Sequence, residues 1–267
     1  MMEQRDEKER PVPALREADD RAQTTMNQDK PARICDANTS DGSDRESRTD
    51  CVVEHPVQRL VEAGVTAPAE LDRYRNIDAD TAAKLNFAQP SPGILISYLD
   101  LNGRPMIGKT GTSFCRLRHA PEHVPKIGHT YSTPPDQGSH MYFPSGLRAK
   151  LDAGNDLNVT EGEIKGSVLD ALGLAAIALP GWTCWSTPGT DQLHPDWAGL
   201  GLAGRRVNLI PDLDGAFNHD IHVQIVKLVA ALQANEVASV NLVKIPPVSS
   251  TKLGIDDYLA LSQESPE

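Results

Sequence analysis

Three acids at the ends of short apolar runs are the residues best placed to do chemistry. Val159-Thr160-Glu161-Gly162-Glu163 closes one run, and Ile210-Pro211-Asp212-Leu213-Asp214-Gly215 closes another. An amphipathic helical pattern follows each of them. Ligands of a parallel α/β sheet sit at the carboxyl ends of its strands, so Glu161, Asp212 and Asp214 would share one mouth. Clustered carboxylates repel one another, and a hard oxygen-loving cation such as Mg²⁺, or Mn²⁺ in its place, relieves that repulsion. Such a site polarises phosphate oxygens, with Glu161 as general acid/base and Asp212 and Asp214 holding the metal. The bland alternative is that each acid caps or flanks a helix, where Asp and Glu are favoured.

The elements that must position these acids lie in the carboxy-terminal half. Leu157–Thr160, Ala175–Leu179, Val207–Ile210 and Ser239–Ile245 read as strands. Between them, Glu163–Leu172 repeats Ile164, Val168 and Leu172 every fourth residue, and Ile221, Ile225, Leu228, Val229 and Leu232 form a helical stripe. A short helix from Ile255 to Leu261 is expected last. Strand–helix alternation implies a parallel sheet with right-handed crossovers.

Upstream the pattern is mixed. Pro56 to Gly64, Pro68 to Tyr74 and Asp80 to Leu85 read as short helices, with a cap from Asn76–Thr81 before the third. Gly93–Leu99 has strand period, Asp100–Gly103 a turn signature, and Met106-Ile107 begins a return. Phe114–Arg118 alternates so that Arg116 and Arg118 share one face, and His140–Pro144 reads as a strand end. The arginines suit a nucleic-acid backbone or a nucleotide's phosphates, or else an ordinary solvated sheet face. Trp182 and Trp185 suit base stacking or loop packing, and His219, Asp220 and His222 suit a metal or a helix cap.

Gly103-Arg-Pro-Met-Ile-Gly108-Lys109-Thr110 spells the phosphate-cradling G-x-x-x-x-G-K-[ST] pattern. That pattern needs a helix beginning at its lysine. The residues after Thr110 are β-like, so an ATPase of this type ranks third among the functions considered.

The bulk properties set bounds. The chain has 267 residues, a formal charge of −11, 39% hydrophobic and 4% aromatic content, and a pI near 5.2. That charge speaks against wrapping duplex DNA by bulk electrostatics, but permits a local basic groove. Residues 1–50 carry nine basic and thirteen acidic residues without hydrophobic period, and read as a disordered tail. Cys35, Cys51, Cys115 and Cys184 lie far apart, which implies neither a disulfide framework nor a zinc site. No signal-peptide core and no run of about 18 apolar residues is present, so a cytoplasmic protein without a membrane partner is expected.

The two acidic strand ends resemble the signature motifs of the Toprim domain of bacterial primases, phage helicase–primases, topoisomerases and related nucleases. They are more similar to a Toprim-like domain of unknown function found in proteins of phages, plasmids and integrated elements. Glu161-Gly162-Glu163, Gly173, Ala175–Ala178, Pro180-Gly181-Trp182, Asp212-x-Asp214 with Asn218, and Lys252-x-Gly254-Ile255-Asp256-Asp257-Tyr258-Leu259 fit that family. Val61–Val65, Arg116-x-Arg118 and Met141–Pro144 resemble the region preceding the domain. The resemblance implies a disordered tail (1–50), a helical plus β-hairpin primase-like region (51–150) and a Toprim-like α/β domain (151–267).

It also implies Mg²⁺-dependent phosphoryl or nucleotidyl transfer on nucleic acid, as in replication of a mobile element. The partners expected are single-stranded DNA and a replicative helicase in trans. A non-catalytic single-strand- or helicase-binding module is the alternative. The chain closes soon after the last motif, so no helicase motor is expected. Primases of this type usually carry an acid four residues after the first glutamate, and Lys165 stands there. A lysine at that place suits one metal rather than two, a phosphate clamp with a share in catalysis, or an exposed helix turn.

Overall fold

The computed structural model describes residues 56–212, 218–246 and 254–255. The expected tail (1–50), Asp214, and Lys252, Asp256 and Asp257 lie outside the described residues.

Pro56–Glu62 forms helix α1, which ends where Gly64 turns at φ 88° and Val65 N–H returns to the Leu60 carbonyl. Leu60 is buried, whereas its neighbour Val61 is exposed. Helix α2 (Pro68–Leu71) is shorter than the sequence suggested. Tyr74–Ile77 is not helical but strand β1, because pairing with Gly93–Ser97 (β2) supplies its backbone with partners. Asp78 caps α3 (Ala79–Lys84) by accepting from Thr81 N–H at 2.8 Å. Beyond β2, Asp100 Oδ1 accepts from the amides of Asn102 and Arg104 and closes the expected turn.

Cys115–His119 (β3) pairs antiparallel with β2, and Tyr131–Ser132 (β4) follows the short helix α4 (Val124–Ile127). The order β1-β2-β3-β4 makes one antiparallel sheet. Gly108–Thr112 is a tight turn, with Gly108 N–H on the Thr112 carbonyl and Gly111 at φ 82°. No helix starts at Lys109, so the phosphate-cradle reading of Gly103–Thr110 lacks the structure it requires.

Helix α5 (Leu147–Asp152), not foreseen from the sequence, leads into strand β5 (Leu157–Glu161) and helix α6 (Glu163–Ala171). Strand β6 (Ala175–Leu179), a 3-10 turn (Pro195–Gly199), strand β7 (Arg206–Ile210), helix α7 (His219–Ala234) and strand β8 (Ser239–Leu242) complete the half. All four strands are parallel in the order β6-β5-β7-β8. Strands covered on both faces by helices read as continuous apolar runs, and Ala175–Leu179 is buried throughout. Leu172, expected to share α6's buried stripe, is exposed. The fold is therefore mixed α/β, with a helix-flanked parallel sheet preceded by a small antiparallel one.

The described residues form one compact unit. Its main core includes Tyr74, Ile96 and Tyr98 from the first half and Leu157, Ile177 and Leu209 from the second, so it runs through position 150. Tyr142 extends the parallel sheet by an antiparallel bridge to Ala178. The seam also holds a buried polar network. Glu70 accepts from Tyr142 Oη at 2.6 Å and from Ser145 N–H at 2.7 Å, while Tyr74 Oη and Ser167 Oγ lie 2.7 Å apart. Glu70, Tyr74, Tyr142 and Ser167 are thus paired rather than stranded, which limits the cost of their desolvation. Among the described residues, no helix is long and apolar enough to cross a membrane.

Candidate functional site

Thr160 on β5 pairs with Ile210 on β7, so the two strands end side by side. Glu161 is the last residue of β5 and Asp212 lies two residues beyond β7; they emerge at the same edge of the sheet. Gly162, at φ 90°, makes the sharp turn from β5 into α6, a conformation that an L side chain rarely adopts. Glu161 is half-buried and already engaged in an interaction. Asp214, the third carboxylate of the expected mouth, lies outside the described residues.

Lys165 does face this mouth. Its Nζ donates to both Asp212 oxygens, at 2.6 Å to Oδ1 and 2.5 Å to Oδ2. The two side chains are only 17% and 18% exposed, so this is a largely sheltered pair rather than a surface one. Lys165 sits in the first turn of α6, at the helix's positive end, where a cation is electrostatically disfavoured. Asp212 offsets that disadvantage.

Mg²⁺ binds carboxylate oxygens in tight octahedral geometry. Each Asp212 oxygen already accepts one hydrogen bond from Lys165, so an ion there would compete with the ammonium. Among the described residues, no group of three His, Cys, Asp or Glu side chains could hold a metal. The His219, Asp220 and His222 triplet is the first turn of α7, capped by Asn218 Oδ1 accepting from Asp220 N–H at 3.0 Å.

The second glutamate of the strand end has a different task. Glu163, 1% exposed, accepts from Tyr98 Oη and from Arg116 through one oxygen, Oε1, each at 2.6 Å. Arg116 also lies over the Tyr131 ring at 4.8 Å. Burial works against the Arg116 charge, but Glu163 and Tyr98 outweigh it and hold the guanidinium firmly protonated. Burial, with Glu163 beside it, pushes the Tyr98 hydroxyl well up, so it remains a donor. Arg116 is thus spent on docking β3 against the first turn of α6. Arg118, on the same strand face, is half-buried.

Glu70 and Glu163 were missed as seam residues. Each meets partners tens of residues away, and no local spacing announces that. Trp182, Trp185 and Trp197 are buried, and Trp185 Nε1 donates to Gln224 at 3.1 Å, so the first two pack the core rather than offer stacking faces. Another cluster escaped notice: His140 Nδ1 lies 3.1 Å from Asp196 Oδ2, which also accepts from Met141 N–H at 2.8 Å.

Residues 152–265 match the model of a domain of unknown function, DUF3854. None of the curated proteins matches the sequence. The fold is similar to the crystal structure of the zinc-binding and RNA polymerase domains of the Aquifex aeolicus primase, with a TM-score of 0.51 at 14% identity. The likeness covers 77% of this chain and 51% of that one, so the chain spans about half of the primase structure.

Proposed function

We propose that the chain is a primase-like module of replication that grips single-stranded DNA beside the strand-end mouth, as part of a mobile element and next to a helicase in trans. One observation carries this reading. Arg116 docks β3 onto the first turn of α6, the helix that carries Lys165 at the mouth, and Arg118 lies two residues along the same strand. Phosphodiester recognition needs fixed positive charge beside an accessible groove, even on an acidic protein. A primase-like fold agrees with such a ligand.

Fluorescence anisotropy of a labelled single-stranded oligonucleotide, titrated at several salt concentrations, tests this. Arg118→Ala should weaken binding about fivefold and flatten the salt dependence by roughly 0.7 in log–log slope. Equal binding and equal slope in the variant would remove Arg118 from the interface. No binding by the unaltered protein at moderate salt would remove the reading itself.

The adjacency of Glu161 and Asp212 favours a second reading, Mg²⁺-dependent nucleotidyl transfer with those residues and Asp214 around the metal. It requires the metal to displace Lys165 from Asp212 or to share the carboxylate with it. Primer synthesis on a single-stranded template, with Mg²⁺ and Mn²⁺ titrated, decides it. Product from the unaltered protein that disappears in Glu161→Ala supports the transfer, and no product at any metal concentration disposes of it.

A further inference from the structure

We infer that Lys165 is the mouth's own counter-ion: its tethered ammonium occupies Asp212 in the place a divalent cation would otherwise take. The geometry is specific. A single Nζ bridges both carboxylate oxygens of Asp212, so an incoming metal meets a positive charge beside either oxygen and must displace it or bear its repulsion. The pair is mostly sheltered, so a competing ion must be stripped of water and must also leave a buried ammonium unpaired. Mg²⁺ gives up its water reluctantly, which sharpens the handicap.

The sequence position points the same way. Lysine in the first turn of a helix opposes the helix dipole, and of the contacts around Lys165 it is Asp212 that supplies the compensation. The ammonium also comes with its stem already attached to the fold, so neutralisation needs no ion from solution. A mouth built this way is charge-balanced at Asp212 without metal.

Mn²⁺ binding, followed by the loss of the free ion's electron paramagnetic resonance signal, tests the inference. The unaltered protein should bind Mn²⁺ weakly. Lys165→Met keeps the length of the stem and removes the charge; it should bind at least about tenfold more tightly. Adding Asp212→Asn to that variant should abolish the gain. Lys165→Arg retains a cation and should remain as weak as the unaltered protein, and its melting temperature guards against misfolding as the cause. Affinity in the unaltered protein equal to that of Lys165→Met overturns the inference, and so does a folded Lys165→Met that gains nothing. The inference shares the mouth and its Lys165 with the nucleic-acid reading, whose test is made at Arg118. Strand binding and Mn²⁺ affinity are separate measurements, so either idea can fail while the other stands.

Discussion

At the residue scale, the pair formed by His140 and Asp196 gives the protein a pH dependence of definite sign. The hydrogen bond to Asp196 raises the His140 pKa above its ordinary value. Burial works against the Asp196 carboxylate, but hydrogen bonds from His140, His194 and the Met141 amide hold its pKa well below the usual carboxylate range. A raised histidine stabilises the fold fully below about pH 6.5, and this is lost as pH rises through its folded pKa. A depressed carboxylate stabilises above about pH 3.9, and this is lost as pH falls through its folded value. The pair is therefore at full strength between those limits. His119 works in the opposite sense, since burial lowers its pKa and favours the neutral ring. Comparing a variant with the parent cancels that contribution. His140→Gln should lower stability near pH 5.5 by about 1.5–3 kcal/mol, the range for a hydrogen bond to a charged group, and by less near pH 9. Denaturant midpoints at the two pH values measure this. An equal loss at both would mean that the charge on His140 contributes nothing.

At the element scale, the parallel half was legible because its strands are rich in apolar residues, unbroken in Ala175–Leu179, and its longest helix has a clear stripe. Leu157–Glu161, Ala175–Leu179 and Arg206–Ile210 fall within a residue or two of their expected limits. The antiparallel half was harder. Strand β1 is four residues at a sheet edge with only Tyr74 buried, so neither alternation nor length distinguished it from a continued helix. Of the mouth, the strand-end place of Glu161 and Asp212 could be read, whereas the Lys165–Asp212 pair joins residues 47 apart and needed the fold. The packing of α6 on β6 also follows from residue size. A Cβ on Gly166 would lie 3.0 Å from the Ala178 Cβ, both rigidly attached to backbone. Alanine in mid-helix ordinarily gains up to about 1 kcal/mol over glycine, but this overlap opposes the gain. Gly166→Val adds bulk to the clash and should cost about 1–3 kcal/mol. Thermal melting of Gly166→Val, with and without Ala178→Gly, is the check. A loss that Ala178→Gly does not lessen would place the strain elsewhere.

At the scale of the whole molecule, the two sheets share one core and a polar seam, so they should unfold as one body. All three tryptophans (Trp182, Trp185 and Trp197) lie in the carboxy-terminal half of the chain and within the shared core. Arg116 belongs to the antiparallel half and reaches across to Glu163. The Glu163 Oε2 atom is buried without a hydrogen-bond partner among the described residues, so the carboxylate depends on Arg116 and Tyr98 at its other oxygen. Removing one member of a buried pair leaves an uncompensated charge and costs about 3–5 kcal/mol. That is a large part of the roughly 5–15 kcal/mol a domain has in total. Arg116→Met, which retains the bulk of the stem, should therefore shift the tryptophan-detected transition to lower denaturant by that amount. Its slope should stay the same, since the surface exposed on unfolding is unchanged. The helix signal in far-ultraviolet circular dichroism should move with it, on a coincident curve. A tryptophan transition that stayed in place while the circular dichroism gained an earlier step would show that the sheets fold separately. In that event the boundary expected near residue 150 would be a true domain boundary, and the contact between Arg116 and Glu163 a docking interface between two domains.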